Sequence, residues 1–299
     1  MKKLFLLQIL VLMSLSAVSQ SEGLFSVSET KKIVFSQGNL QYHKDSNVWR
    51  FAEDQLLYLG ENNNNIETGG TWIDLFGWSG GIINKYYPTA TSKSTKSSSE
   101  KPSKHNNKAT ADNQSQRDPK FGVNTSIMQY DYFGSFVDWG VKQIGSDSAE
   151  VWRTLTAEEW NYIFEGRKNA SALWGVAQVW GVNGLILLPD NWVAPEGVFF
   201  KPGFYEEEDV WYFSVHQTFT QTLWLRMEQA GAVFLPASGY RFGAGASNME
   251  YCGYYWSASA DGSNRAVCLY FDSDGKSMDS NYRHYGLSVR LVKDVANAQ

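Results

Sequence analysis

Leu155-Thr156-Ala157-Glu158-Glu159-Trp160-Asn161-Tyr162-Ile163-Phe164-Glu165-Gly166 is the segment on which the fold class turns. Thr156 and Glu159 stand at the spacing where a hydroxyl and a carboxylate each take one orphan N–H of a helix start. Leu155 before the cap and Trp160 after it have the spacing of a hydrophobic staple. Trp160, Ile163 and Phe164 then fall on one apolar stripe, and Gly166 supplies a stop. The spacing predicts a helix with one buried face.

The chain before this helix reads as strands. Phe25 to Ser28, Ile33 to Ser36 and Val48 to Ala52 are separated by polar breaks, and in the last Trp49 and Phe51 share a face opposite Arg50. The Asn62 to Asn65 tract reads as a loop, and a short helix is expected after Asp138. After the capped helix, Trp174, Val176 and Trp180 alternate onto one face. Asn183-Gly184 is a strong two-residue turn signal, with Leu185 to Leu188 as the returning strand. A second helix is expected from about Gln221 to Ala230, capped by Thr220, stopped by Gly231, with Leu223, Trp224 and Met227 on one face. The remainder is strand-like again at Ala232–Leu235, Tyr254–Ser257, Ala266–Phe271 and Leu287–Val292, with turns at Asp261-Gly262 and Asp274-Gly275. Strands early and late with helices between them predict an α+β fold with antiparallel strands, two main helices and long loops.

Residues 1–19 read as a secretory signal, with Lys2 and Lys3 ahead of an apolar run and Ala17-Val18-Ser19 as a cleavage site. The run falls short of the roughly 20 residues a bilayer span needs, and no later segment resembles a transmembrane segment. An exported chain follows, destined for the periplasm, the cell surface or the medium. Removing Lys2 and Lys3 takes the formal charge from −5 to −7. That balance argues against nucleic-acid binding, which relies on Lys and Arg to neutralise phosphates. With 12 Trp, 16 Tyr and 17 Phe, one core can be built over 20–294 without metal or disulfide help. Residues 295–299 read as a tail. The segment 88–120 holds no large apolar residue and six lysines, and reads as a disordered, basic surface insertion.

The cysteines, Cys252 and Cys268, could be bridged after export or remain two partly buried thiols. If Ser257 faces Ala266 in a hairpin, Cys268 faces Tyr255 and Cys252 lies further along on the other side of the sheet, out of register for a bridge.

A series of motifs then adds a resemblance. It begins at Gly23-Leu24-Phe25-Ser26-Val27, Phe35-Ser36-Gln37-Gly38-Asn39-Leu40-Gln41-Tyr42 and Trp49-Arg50-Phe51-Ala52-Glu53. Trp152-Arg153-Thr154-Leu155-Thr156 with Glu159-Trp160, Gly181-Val182-Asn183-Gly184 and Leu188-Pro189-Asp190-Asn191-Trp192 continue it. Gly231 to Ala237, Gly253-Tyr254-Tyr255-Trp256-Ser257 and Tyr285 to Val292 close it. In this order they resemble exported paralogous-domain proteins of Bacteroides-type gut bacteria, related to the Fibrobacter succinogenes major paralogous domain. More distantly, the chain is similar to the C-type lectin-like fold of formylglycine-generating enzymes and retroelement-diversified binding proteins. The resemblance implies a display scaffold whose C-terminal elements hold side chains on an exposed face, and the function expected is a binding domain for a protein or glycan ligand.

Residues suited to that role are Ser263, Asn264 and Arg265 in one turn and Asp279, Asn281, Tyr282, Arg283 and His284 before the last strand. Tyr, Asn, Ser and Arg together are the chemistry of adaptable recognition surfaces. Thiol catalysis needs cooperating cysteines, and these stand sixteen residues apart with no evident cation to activate them. His43, His105, His216 and His284 lack metal-ligand spacing. Asp272, Asp274 and Asp279 lack the remaining ligands of a calcium loop and read as hairpin-tip residues; the run at 206–209 reads as a solvated acidic loop. Neither a catalytic residue nor a cofactor or metal is expected. The alternatives are a divergent formylglycine-generating-type enzyme and a structural subunit of the cell envelope.

Overall fold

An extended run from Gly286 to Val295 hands its backbone hydrogen bonds to one element after another, and the chain is arranged around it. The structure, a computed structural model, describes residues 23–43, 45–64, 72–79, 135–204, 212–242 and 245–296. The expected signal at 1–19, the insertion at 88–120, the acidic run at 206–209 and the last three residues of the tail lie outside the described residues.

The strands are β1 (Phe25–Ser26), β2 (Lys32–Phe35), β3 (Leu40–His43), β4 (Val48–Phe51) and β5 (Trp72–Ile73), then β6 (Trp174–Val179) and β7 (Val182–Leu187). They continue as β8 (Thr218–Phe219), β9 (Val233–Pro236), β10 (Tyr240–Phe242), β11 (Gly245–Ser247), β12 (Gly253–Asp261), β13 (Arg265–Asp272), β14 (Gly275–Tyr282) and β15 (Val292–Val295). Among the described residues they form the sheets β1-β2-β15, β4-β3-β5, β8-β6-β7-β9, β12-β13-β14 and the ribbon β10-β11. With the helices between them this is an α+β architecture. The pairings between these strands are antiparallel except that of β6 with β8.

The capped helix forms as its sequence requires. The Thr156 hydroxyl accepts from the Glu159 N–H (3.1 Å), and the Glu159 carboxylate accepts from the Thr156 N–H (2.9 Å). Glu159 also takes a forked bond from Arg153 (2.7 and 2.8 Å), whose guanidinium reaches Asp294 of β15. One carboxylate therefore caps the helix and ties its start to the end of the chain. Leu155, Trp160, Ile163 and Phe164 are buried together, and the helix Ala157–Asn161 continues as a π turn through Gly166. A bulge in β12 between Trp256 and Ala260 seats this helix, with the Ala157 N–H on the Ser259 hydroxyl (3.0 Å). The second helix runs Gln221–Gln229 under a Thr220 cap, burying Trp224 and Met227.

Three buried clusters follow from the alternation of the strands. One joins the capped helix, β6, β7, β9 and the Tyr255, Leu269 and Phe271 side of the β12–β14 sheet. A second joins the β3 sheet, Trp139, Leu287, Val289, Leu291 and the opposite side, where Trp256, Ala266 and Cys268 point. The third lies between the Gln221–Gln229 helix and the far side of β6, β7 and β9. The sheet β12–β14 thus has both faces in the core along its middle.

Several expectations need correction. The hairpin β6–β7 turns at Trp180-Gly181, since Val179 pairs with Val182 and both turn residues have positive φ (46° and 85°). Asn183-Gly184 lies inside β7. Glycine is needed there for packing, because a Cβ at Gly184 would stand 2.4 Å from the Leu235 carbonyl and the Phe234 ring. Trp180 is 60% exposed and holds a left-handed backbone that a bulky residue adopts at a cost. Trp180→Asn should therefore stabilise the protein by about 1 kcal/mol, read as a rise in the thermal midpoint. A fall would show that the indole packs usefully and that the turn is not strained.

The Asn tract is a 3₁₀ helix, Gly60–Asn64, because Asn63 is drawn inward to bond both to the N–H and to the carboxylate of buried Asp74 (3.0 and 2.8 Å). The segment after Asp138 is a single 3₁₀ turn, Trp139–Val141, and a short helix, Phe213–His216, adds to the expected set. The expected strand Leu287–Val292 is regular only from Val292, reaching Val295 in the expected tail. Before it Leu287 exchanges bonds with Phe76 (2.9 Å each way) and Ser288 bonds to Tyr254 (3.0 Å). Val289 then accepts from Leu40 and Leu291 from Ser36. The partner changes every residue or two, so no ladder can run.

Candidate ligand-binding surface

Register decides which side chains of β12–β14 meet. Trp256 pairs with Cys268 and Tyr254 with Tyr270, while Asp279 lies opposite Cys268, Ser277 opposite Tyr270 and Asn281 opposite Ala266. These residues share one face. Its middle is closed by the core at Trp256, Ala266 and Cys268. Toward the start of β12 it opens, where Tyr254, Tyr270 and Asp272 are half-buried and Ser277 and Asp279 are exposed.

A continuous row of rings borders that opening. Tyr254 lies 4.9 Å from Tyr270 and 5.7 Å, edge to face, from Tyr240. Tyr240 stacks on Tyr285 at 5.7 Å, and Tyr285 meets Phe242 at 4.7 Å. His284 packs against Phe242 and stacks on Tyr282 at 5.4 Å, and the Arg265 guanidinium lies 4.9 Å over the Tyr282 ring. The row is assembled by β10, whose Arg241 exchanges backbone bonds with Gly286 (2.7 and 2.8 Å). That bridge draws the Tyr240 and Phe242 strand against the turn after β14. Most of these rings are half-buried; Tyr282 is 40% exposed.

Burial sets the protonation of the row. It raises the Tyr254, Tyr270 and Tyr285 hydroxyls above their ordinary value, with the Asp272 carboxylate adding to the effect at Tyr270. All three stay protonated donors at neutral pH. The Tyr270 hydroxyl donates to Asp272 (2.5 Å), which also accepts from the Asp274 N–H (2.8 Å) and so closes the hairpin tip. Burial pushes His284 down to about 4, leaving a neutral ring between its aromatic neighbours.

The side chains expected to form one patch are divided by this geometry. Ser263 and Asn264 are exposed in the β12–β13 turn. Arg265 and Tyr282 lie on the opposite face of the sheet from Asp279 and Asn281, with Arg265 bonded through Nε to the Ser280 hydroxyl (2.9 Å). His284 belongs to the ring row. Arg283 is a correction: it is buried, donates to the carbonyls of Arg265 and Gly262 (2.9 Å each) and lies 4.3 Å over the Trp78 ring. It pins the β12–β13 turn from beneath. Tyr240, Phe242, Tyr254, Tyr270 and Tyr285 were missing from the expected set. Tyr254 and Tyr270 carried a signal in their alternation with core residues; Tyr240 and Phe242 carried none, since nothing local shows where β10 docks.

The cysteines are both free and buried. The true register, one position from the expected one, puts Cys252 and Cys268 on the same side of the sheet with Tyr254 between them. They are four strand residues apart, about 13 Å at the usual rise, too far for a bridge. Burial pushes the Cys252 thiol up to about 11 and raises Cys268 as well.

Among the described residues no group of His, Cys, Asp and Glu side chains is placed to hold a metal ion. Nor, among them, is any helix long and apolar enough to cross a membrane. A family described as a domain of unknown function, DUF8237, matches residues 213–292. That span contains every ring of the row. No curated protein and no solved structure matches the chain.

Proposed function

We propose that this chain is an exported, non-catalytic binding domain of C-type lectin-like build, which meets a protein or glycan ligand with the open end of the β12–β14 face and its ring row. The observation that carries the reading is the ring row itself, half-open along its length on a sheet whose middle is locked into two core clusters. Rings held this rigidly lose little freedom when a ligand settles on them.

Two further features favour a ligand surface over the alternatives. Thiol chemistry of the formylglycine-generating kind needs an accessible thiolate, whereas Cys252 and Cys268 are buried and held protonated. Assembly of an envelope subunit by strand addition would use the edge of β14 that no strand covers among the described residues. The Ser280 and Tyr282 N–H groups there are taken by the Asp279 and Asn281 side chains (2.7 and 2.9 Å). An edge capped this way discourages a further strand.

The test is a binding screen of the chain from residue 20 against glycans and surface proteins. Replacing Tyr270 and Asp279 together by Ala should abolish capture while the thermal midpoint stays within a few degrees. Replacing both cysteines by Ser should leave capture unchanged. Capture that survives the first double variant overturns the reading.

A further inference from the structure

We infer that the ligand of this surface is a neutral saccharide, stacked on the Tyr254–Tyr270 end of the row and held through its hydroxyls by Asp272 and Asp279. The inference rests on the reading above and narrows it to one chemistry.

The groups at the open end match a polyol. A pyranose offers a face of C–H groups, which lie well on the electron-rich face of a ring, and hydroxyls that both donate and accept. Tyr254 and Tyr270 supply paired rings 4.9 Å apart with protonated hydroxyls at their tips. Asp272 and Asp279 supply carboxylates, which accept hydroxyl donors in charge-assisted bonds. Asp272 is already oriented by its bonds from Tyr270 and from the Asp274 N–H. Asp279 is exposed on β14 and spends one oxygen on the Ser280 N–H (2.7 Å), leaving the rest of its lone pairs outward. Ser277, opposite Tyr270, adds a hydroxyl to the same face.

Charge disfavours anionic ligands at this end. Asp272 and Asp274 sit at the open end and Asp279 four strand positions further along β14, while Arg265 is engaged with Ser280 and Tyr282 on the other face and Arg283 lies buried under the turn. Among the described residues, a sulfated glycan or a nucleic acid would meet these carboxylates with Arg265 and Arg283 turned to other partners. A peptide adding a strand would meet the capped edge of β14. A neutral saccharide has the apolar face, the hydroxyls and no charge to be repelled.

The experiment titrates the chain from residue 20 with neutral oligomers of glucose, mannose and N-acetylglucosamine, with heparin as the anionic comparison and a set of purified surface proteins as the third arm. Expected is binding to at least one neutral oligomer, little changed by salt, and none to heparin. Asp279→Asn should weaken it roughly tenfold and Tyr270→Phe several-fold, the usual loss of a hydrogen bond to a charged group and to a neutral one. Asp279→Asn keeps both the shape and the acceptor for the Ser280 N–H, so its thermal midpoint should not move. Tyr270→Phe keeps the ring but gives up the bond to Asp272, so its midpoint should fall by a few degrees with unfolding still cooperative. If no neutral oligomer binds but a purified protein does, and Asp279→Asn weakens that, the saccharide inference falls while the binding surface stands. Heparin as the preferred ligand also overturns it. Binding in no arm overturns both the inference and the reading beneath it.

Discussion

Arg290→Ala should cost about 3–5 kcal/mol of stability, enough to leave a domain of ordinary stability largely unfolded. Arg290 is fully buried in the extended run at the centre of the molecule. Its guanidinium donates to the Phe234 carbonyl of β9, to Gln55 Oε1 (3.4 Å) and to the Ser36 carbonyl beyond β2 (3.5 Å). Gln55 extends the network by accepting from the Phe234 N–H (2.8 Å) and donating to Glu228 (2.9 Å). Burial pushes the guanidinium down to about 10, so it keeps its charge at neutral pH. Truncation to Ala leaves those carbonyls without a donor in a site water does not reach, and opens a cavity beside Tyr255. Arg290→Met, which fills the space without the charge, should cost less than Arg290→Ala, because removal of the ion also removes its desolvation. Urea unfolding of the three proteins measures both differences. A loss below 1 kcal/mol for Arg290→Ala would show that the network is dispensable.

Trp256→Ala carries the second large effect, again about 3–5 kcal/mol by the same measurement. Trp256 is buried where the β12–β14 sheet meets the β3 sheet and the central run, and its indole N–H donates to the Phe76 carbonyl (2.7 Å). Phe76 in turn exchanges both backbone bonds with Leu287. Removing the indole empties the middle of the second cluster and takes one of two donors from the Phe76 carbonyl, which keeps the Leu287 N–H that positions the central run. Trp256→Phe separates the two contributions, keeping a ring but dropping the bond, and should cost about 1–2 kcal/mol. Equal losses in the two variants would mean that the hydrogen bond stabilises this site more than the packing does.

Both residues sit in motifs that the sequence marks out, Tyr255-Trp256-Ser257 and Ser288-Val289-Arg290-Leu291. The chemistry of the second was only half legible there. Alternation in a run such as Leu287 to Val292 signals an extended, buried backbone, and the run is extended and buried. It does not signal whether one strand or several unrelated segments lie alongside. The central arginine is as compatible with a solvent-facing position as with the buried one it has, since a guanidinium goes inside only where carbonyls from distant segments converge.

The candidate site shows the same division. The residues singled out between 263 and 284 fall in the β12–β13 turn, along β14 and in the turn after it, whereas the sheet face opens toward the other end, at the start of β12 and the β13–β14 tip. Arg283 was read as a displayed side chain, yet it serves the turn from below. Asn281 and Asp279 cap the edge of β14 as well as facing outward. The rings of the row come from β10, β12, β13, the end of β14 and the turn after it, and the docking of β10 through Arg241 and Gly286 brings them together.

By itself the sequence determined what depends on neighbours within a turn or two of chain: the Thr156–Glu159 capping box, the Thr220 cap, the apolar stripes of both helices and the alternation of the longer strands. Tertiary structure decided the rest. It set the register of β12 on β13, the turn at Trp180 in place of Asn183-Gly184, the burial of Arg283 and Arg290, and the meeting of the rings. In each of these cases several local conformations are close in energy. The choice falls to packing and to hydrogen bonds between residues far apart in sequence, whose sum outweighs any local preference.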